Sequence, residues 1–140
     1  GELTLNFKNL KNQIVEDGKI KLIINEKSIK IIETIFDKKN VGIIKSNFRY
    51  FENEGDLIFS SNNTLEIKDK KEFARKFQLN FSKTKKISKI FFNLEKNIKT
   101  GEISISNIHL DKVNTKEGLD AFYMINNFQA LKSLLRKIIN

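Results

Sequence analysis

A short phrase that recurs along the chain constrains the fold more than any other feature. It consists of a glycine, a charged residue and then apolar residues at alternate positions, and copies open at Gly1, Gly18, Gly55 and Gly101. Glycine can adopt the positive φ that a tight turn needs, and apolar residues at every second position place one face of a strand on a core. The phrase therefore predicts a repeated turn and strand.

Two copies belong to longer segments of the same design. Apolar residues alternate with polar ones from Ile44 to Asn62 around Gly55, and again from Ile87 to Asn107 around Gly101. Each segment has the pattern of a β-hairpin, with a strand, a turn near the glycine and a returning strand. We expect the Asn62-Asn63 pair to end the first returning strand, with a brief strand behind it.

The N-terminal region also alternates. Leu3, Leu5 and Phe7 predict an opening strand, and Gly18 is expected to turn the chain into a strand over 19–25. The next segment, residues 28–36, has apolar residues on both faces, so a strand and a short helix remain close alternatives.

Two segments have helical spacing. Asp69 and Glu72 have the spacing of a capping box, and the apolar residues behind them predict a helix over about 69–78. A second capping box at Asn114 precedes a predicted amphipathic helix over about 118–139. Its apolar stripe consists of Ala121, Met124, Phe128, Leu131, Leu135 and Ile138.

Together these elements predict a mainly β (α+β) fold. We expect a curled antiparallel meander of repeated hairpins, with strands over about 2–67 and 79–113, one short internal helix, and a C-terminal amphipathic helix packed on or capping the sheet. A length of 140 residues suits one domain, 1–140. Because the first residue is Gly1 and not Met, we expect a fragment of a longer protein.

The strands carry more apolar residues than one helix would cover. A helix of about 20 residues is only some 30 Å long. We therefore expect that the sheet either curls on itself or keeps an apolar trough. The candidate trough residues are Phe48, Tyr50, Leu57, Phe59, Ile90, Phe92, Leu94, Ile103 and Ile105.

The charge balance is strongly basic, with a formal net charge of +9 that comes mainly from lysine. Such a balance suits nucleic acid, an anionic membrane surface, or solubility alone. The lysine cluster at Lys83–Lys89, next to Phe91 and Phe92, has the ingredients of a platform for single-stranded nucleic acid. Phe92 falls on the expected core face, however, so the pattern favours packing.

Few residues suggest chemistry. The chain has no Cys, which excludes disulfides, thiolate nucleophiles and most zinc sites. His109 is the only histidine, and we interpret it as a structural or surface residue. Glu52, Glu54 and Asp56 could hold a hard cation, but without the spacing of a calcium loop they indicate a solvated turn. We therefore expect no catalytic residue, no metal and no cofactor, and a protein that is not an enzyme.

One resemblance extends over about residues 18–113. The segments Gly55–Asn63 and Ser88–Asn107 are similar to the C-terminal β-rich parts of AsmA-like (AsmA/TamB-type) bacterial envelope proteins. The resemblance implies a β-rich periplasmic region behind an N-terminal membrane anchor, curled into an open groove whose apolar interior carries lipid acyl chains between membranes. It implies no catalytic residues. This chain departs from the family by its short length and by the lack of an anchor, as an excised domain would.

We therefore expect a non-catalytic envelope domain involved in lipid handling or outer-membrane assembly. It would be periplasmic and membrane-tethered in the full-length protein, and its partner would be lipid or the remainder of that protein. No apolar run approaches 18 residues, so no membrane span is expected in this chain. The alternative is a cytoplasmic β-sheet module that binds nucleic acid through its Lys-rich surface, which the sequence favours less.

Overall fold

The structure, a computed structural model, describes residues 1–9, 16–26, 28–38, 41–111 and 123–140. Within these residues the backbone forms eight strands and three helices. In chain order they are β1 (Glu2–Phe7), β2 (Asp17–Asn25), β3 (Ser28–Lys38), β4 (Gly42–Asn53), β5 (Asp56–Ile67), α1 (Lys70–Phe77), α2 (Phe81–Thr84), β6 (Lys89–Asn97), β7 (Ile103–Leu110), β8 (Tyr123–Met124) and α3 (Phe128–Ile139).

All of these strands belong to one antiparallel sheet. Its strand order is the chain order, β1 to β8, so every strand pairs with its neighbours in sequence. This arrangement confirms the predicted mainly β fold with an antiparallel meander, an internal helix and a C-terminal helix. The segment 28–36, for which strand and helix were alternatives, lies in β3.

The first predicted hairpin is formed by β4 and β5. Asn53 pairs with Asp56, which leaves a two-residue loop of Glu54 and Gly55. Both loop residues have positive φ, 51° and 81°, as a type I′ turn requires. Gly55 therefore makes the turn that the sequence predicts.

The second predicted hairpin, between β6 and β7, has a longer loop. The side-chain oxygen of Asn97 accepts hydrogen bonds from the amides of Lys99 and Thr100, at 2.9 and 3.0 Å. The amide of Gly101 donates to the carbonyl of Asn97 at 2.8 Å, and Gly101 has a φ of 77°. The two hairpins share the turn glycine but differ in loop geometry.

Gly18 was expected to make a turn, and that prediction is wrong. Gly18 lies inside β2, where it pairs with Phe7 of β1 and Phe36 of β3. Strand pairing with β1 on one side and β3 on the other holds Gly18 in an extended backbone, so the glycine does not make a turn here. Gly1 lies beside the same strand, and its amino group donates a 2.6 Å hydrogen bond to the carbonyl of Ile24.

The expected break at Asn62-Asn63 is also wrong, because β5 runs through both residues. The side chain of Asn63 is buried, and its polar atoms find partners on neighbouring residues. The Ser46 hydroxyl donates to its oxygen at 2.6 Å, and its NH₂ group donates to the Ser61 hydroxyl at 3.0 Å. These tertiary partners allow an asparagine in the middle of a strand.

The helix predicted over 69–78 is confirmed. Asp69 caps α1, and its side chain accepts a 2.9 Å hydrogen bond from the amide of Glu72. The strand predicted from residue 79 is wrong at its start. Asn80 caps the short helix α2, with its side chain accepting from the amide of Lys83 at 3.3 Å, and β6 begins only at Lys89.

The C-terminal helix is shorter than predicted. It begins at Phe128, and the side chain of Asn127 accepts a 2.8 Å hydrogen bond from the amide of Ala130. Tyr123 and Met124 form β8, so the prediction of helix over 123–127 is wrong. The backbone at the edge of β7 pairs with Tyr123 and Met124. The local sequence pattern of residues 123–127 does not indicate this pairing, because β7 is distant in the chain. Residues 118–122, with Ala121, and the predicted cap at Asn114 lie outside the described residues.

The core lies between one face of the sheet and the helices α1 and α3. Phe73 of α1 is completely buried, and its ring centroid lies 4.8 Å from that of Phe77. The Phe77 ring in turn lies 5.7 Å from that of Phe128 on α3. We call the sheet face against these helices the inner face and the opposite face the outer face.

An irregularity in β7 helps to fill this core. The pairing of β6 with β7 shifts between Phe91 and Asn93, and Asn107 on β7 has a φ of 50°. A bulge of this kind changes the alternation of side chains by one residue. As a result Ile105 and Ile108 are both buried in the core, although they lie three positions apart.

Candidate functional site: an apolar cavity on the inner face

A cavity of about 90 Å³ lies between the inner face and the helices. Ile44, Leu65 and Ile90 contribute walls from the sheet, and Phe73 and Leu134 contribute walls from α1 and α3. All the described residues of the wall are apolar or glycine, apart from two lysines. For comparison, a dry apolar cavity of about 150 Å³ holds a benzene molecule. The cavity is smaller than that, so it suits only a few carbon atoms of a hydrocarbon chain.

Three of the predicted trough residues belong to this wall, namely Ile90, Phe92 and Ile105. They come from β6 and β7, where apolar residues occupy successive positions on the inner face. Ile90 and Ile105 are almost fully buried, and Phe92 is partly buried. The alternation of apolar and polar residues, from which the trough residues were predicted, also places these three side chains on the face that packs against the helices.

The other six predicted residues lie on the inner face outside the cavity. Phe48 pairs with Ser61, Ser61 with Leu94, and Leu94 with Ile105, which places them in one row because paired residues share a face. The next row contains Tyr50, Phe59, Lys96 and Ile103, and Leu57 follows Phe59 on the same face of β5.

Four of these six residues lie together, and three of them are aromatic. We call this group, which consists of Phe48, Tyr50, Leu57 and Phe59, the aromatic strip. The ring centroid of Phe59 lies 4.6 Å from that of Phe48 and 5.1 Å from that of Tyr50. Tyr50 is 57% exposed and Leu57 is 48% exposed. The described helices therefore leave this part of the inner face open to solvent.

A buried polar belt separates the cavity from the aromatic strip on β4 and β5. It consists of Ser46, Ser61 and Asn63, whose mutual hydrogen bonds are described above. Thr34 of β3 pairs with Ser46 and is 1% exposed, and its hydroxyl has no hydrogen-bond partner in the described part of the chain. Among the described residues, the apolar surface therefore continues from the cavity toward the strip along β6 and β7, through Phe92, Leu94 and Ile105.

Among the described residues of the cavity wall, Lys38 and Lys76 carry charge. The Lys38 ammonium lies 2.8 Å from a carboxylate oxygen of Glu16. The Lys76 ammonium lies 5.6 Å above the centre of the Phe128 ring, a cation–π contact. Burial lowers the pKa of Lys76, and the positive charge of Lys38 lowers it further. Neither lysine was among the residues predicted from the sequence, because β3 and α1 lie far apart in the chain.

The outer face carries a polar groove of about 560 Å³. Asn47, Asn62 and Asn93 pair across β4, β5 and β6 and cross this groove as one row. The neighbouring row includes Phe91, which is 38% exposed, and the exposed His109. His109 is thus a surface residue, as we interpreted it from the sequence.

Two lysines of the predicted cluster, Lys83 and Lys89, have partners within the protein, whereas Lys85 and Lys86 are exposed. Lys45 and Lys89 lie 3.2 and 3.9 Å from the same carboxylate oxygen of Glu66. The Lys83 ammonium donates a hydrogen bond to the backbone oxygen of Asn140. Phe92 lies on the opposite face from Phe91, so the aromatic pair does not form one platform. This arrangement does not favour nucleic-acid binding, which remains an untested prediction.

The predicted acidic turn is part of the first hairpin. Glu52 and Glu54 are exposed, whereas Asp56 accepts a 2.8 Å hydrogen bond from the side chain of Asn97 and lies 3.6 Å from the Lys99 ammonium. Asp56 thus links the two hairpins. Within the described ranges, no group of three His, Asp or Glu side chains is arranged to hold a metal ion.

The fold and the cavity define an open antiparallel β-meander whose inner face is covered by helices over part of its length. No protein-family model, curated protein or solved structure matches the chain. The AsmA-like assignment therefore remains a prediction from the sequence. In the described part of the chain, no helix is long and apolar enough to cross a membrane.

Proposed function

We propose that this chain is a non-catalytic, AsmA-like domain of the bacterial envelope whose inner face holds the apolar part of a lipid. The observation that carries the proposal is the cavity under α1 and α3, whose described wall is apolar apart from Lys38 and Lys76. Apolar pockets with a few polar groups at fixed places are typical of sites for small apolar ligands.

The aromatic strip extends the same surface. Large apolar side chains that remain exposed together often mark a binding site. Phe92 lies at the cavity, and Leu94 continues the apolar surface toward Ile103 and the strip. A lipid chain in the cavity would therefore have an apolar path along β6 and β7 as far as Leu94 and Ile103, where Lys96 adjoins it.

The proposal includes a location and partners. The domain acts in the periplasm as part of a membrane-tethered protein, in lipid handling or outer-membrane assembly. Its partner is lipid, or the remainder of the larger protein packed on the aromatic strip. The size of the cavity supports a role in which this domain holds part of a chain, with the rest lying on adjoining surface.

Native mass spectrometry tests the proposal directly. The chain would be incubated with phosphatidylglycerol vesicles, separated from them and sprayed under mild conditions. We expect an adduct of one lipid mass. Leu131, on the cavity wall and only partly buried, offers a blocking variant, Leu131→Trp.

The matched control is Phe81→Trp, because Phe81 is 48% exposed and is not part of the cavity wall. We expect Leu131→Trp to lose the adduct and Phe81→Trp to keep it, with both variants folded by circular dichroism. If the wild-type chain forms no lipid adduct, or if Leu131→Trp binds as well as wild type, the proposal is wrong.

A further inference from the structure

We infer that the cavity is the entrance of a site for an anionic single-chain amphiphile, with Lys76 and Lys38 binding its carboxylate or phosphate headgroup. This inference rests on the proposed function, because it concerns the same cavity. It adds the charge of the ligand and the direction in which the ligand lies.

The two lysines reach the cavity from different elements. Lys38 is the last residue of β3, and Lys76 lies in the last turn of α1. They are the only charged residues among the described lining. An amphiphile has the same pattern, with hydrocarbon along most of its length and charge at one end.

Two described carboxylates near Lys76, those of Glu16 and Glu72, favour its charged form, but each has a closer basic partner. Glu16 is bonded to Lys38, as described above, and the other nearby pair, Glu72 with Arg75, is bonded within α1. In the described ranges no carboxylate oxygen lies within 4 Å of the Lys76 ammonium, whose described contact is the Phe128 ring. Within the part of the chain that the structure describes, the Lys76 ammonium therefore has no carboxylate in direct contact.

An anionic headgroup would improve the environment of Lys76. Partial burial and the charge of Lys38 both disfavour the ammonium form, which lowers its pKa. A bound carboxylate or phosphate would supply an opposite charge and a charge-assisted hydrogen bond. An uncharged headgroup such as an alcohol would do neither.

The sheet also gives the ligand a direction. Lys38 pairs with Gly42 at the start of β4, and the inner-face positions that follow are Ile44, Ser46 and Phe48. A strand rises about 3.4 Å per residue, so Phe48 lies about 20 Å from Gly42 along β4. One acyl chain spans about half of a bilayer core of about 30 Å. A chain of about 15 Å with its headgroup at the lysines would therefore extend toward the aromatic strip without reaching Phe48. Because Ser46 of the polar belt lies on the direct line along β4, the apolar route for the chain runs past Phe92 and Leu94 of β6.

The test compares decanoate with decanol, which have the same number of carbons and differ in charge, by titration calorimetry. We expect the wild-type chain to bind decanoate at least tenfold more tightly than decanol, and acetate not to bind. The variant Lys76→Met keeps a long apolar side chain without the charge. It should lose the preference for decanoate and keep the affinity for decanol.

Lys71→Met is the matched control, because Lys71 is an exposed lysine of α1 outside the cavity wall. It should behave as wild type. Equal binding of decanoate and decanol by wild type, an unchanged preference in Lys76→Met, or binding of acetate as tight as that of decanoate would overturn the inference and leave the proposed function standing. Failure of both decanoate and decanol to bind would overturn the proposed function as well.

Discussion

The hydroxyl of Ser46 donates a 2.6 Å hydrogen bond to the side-chain oxygen of Asn63, between two neighbouring strands and within a buried part of the inner face. The NH₂ group of Asn63 also donates to the carbonyl of Phe92 on the next strand, at 3.3 Å. One side chain thus connects β4, β5 and β6. It lies beside the apolar cavity and gives this part of the sheet a fixed register.

Replacement of Asn63 by alanine should destabilise the protein. The Ser46 hydroxyl and the Phe92 carbonyl would lose a partner in a buried environment, which costs about 1–3 kcal/mol. Chemical denaturation in urea would measure the change. Asn62→Ala is the control, because Asn62 is exposed and its side chain has no described hydrogen bond. The free energy of unfolding of this variant should differ from that of wild type by less than about 0.5 kcal/mol. Equal effects of the two substitutions would contradict the role of the polar belt.

Adjacent phenylalanines on β6 test the assignment of the two faces. Phe92→Asp would place a charge among the apolar residues of the cavity wall, and we expect a loss of stability above about 3 kcal/mol. Phe91 is 38% exposed on the outer face, so Phe91→Asp should cost much less. Thermal unfolding followed by circular dichroism would compare them. A melting temperature of Phe92→Asp equal to that of wild type would show that its face is wrongly assigned.

Phe73 is the anchor of α1 on the sheet, with none of its surface exposed. Phe73→Ala should lower the free energy of unfolding by about 3–5 kcal/mol, because it removes buried surface and enlarges the cavity. In Phe81→Ala the lost side chain is 48% exposed, and we expect a small effect. Urea denaturation of both variants would check the contrast. If Phe73→Ala were as stable as Phe81→Ala, the helix would not depend on this contact.

Two glycines should respond to alanine for different reasons. Gly42→Ala would place a Cβ atom 2.7 Å from the backbone oxygen of Glu66, so β4 and β5 must move apart, at a cost of about 1–3 kcal/mol. At Gly55 the added Cβ meets no atom within 4 Å, and only the positive φ is unfavourable, at a cost of about 1–2 kcal/mol. Stability measurements on both variants would decide, and a greater loss at Gly55 would contradict the close approach at Gly42.

The sequence predicted those features whose causes are local. The hairpin turn at Gly55 follows from a glycine between two alternating segments, and the start of α1 follows from Asp69 and its hydrogen bond to the amide of Glu72. The side of the sheet on which Phe92 lies follows from alternation alone. All nine candidate trough residues share the inner face for the same reason.

Local patterns failed where distant residues supply the missing interactions. Gly18 and Asn63 carry turn or break signals, yet each lies within a strand because ladders or buried hydrogen bonds hold it there. The start of α3 was placed too early because Tyr123 pairs with β7, a segment some 20 residues away along the chain. A residue with an unfavourable intrinsic preference destabilises a helix or strand by only about 1 kcal/mol, and tertiary interactions of this kind outweigh that amount.

The sequence by itself determined the strands that alternate and the apolar side of the sheet. It also predicted the turns at Gly55 and Gly101, although the same signal at Gly18 was wrong. Only the tertiary structure decided which part of that side the helices cover and which part remains exposed. It also brought Lys38 and Lys76 to one cavity from elements that have no pattern in common. The physical reason is that turns and alternation depend on neighbouring residues, whereas burial and charge at a cavity depend on residues that meet only when the chain has folded.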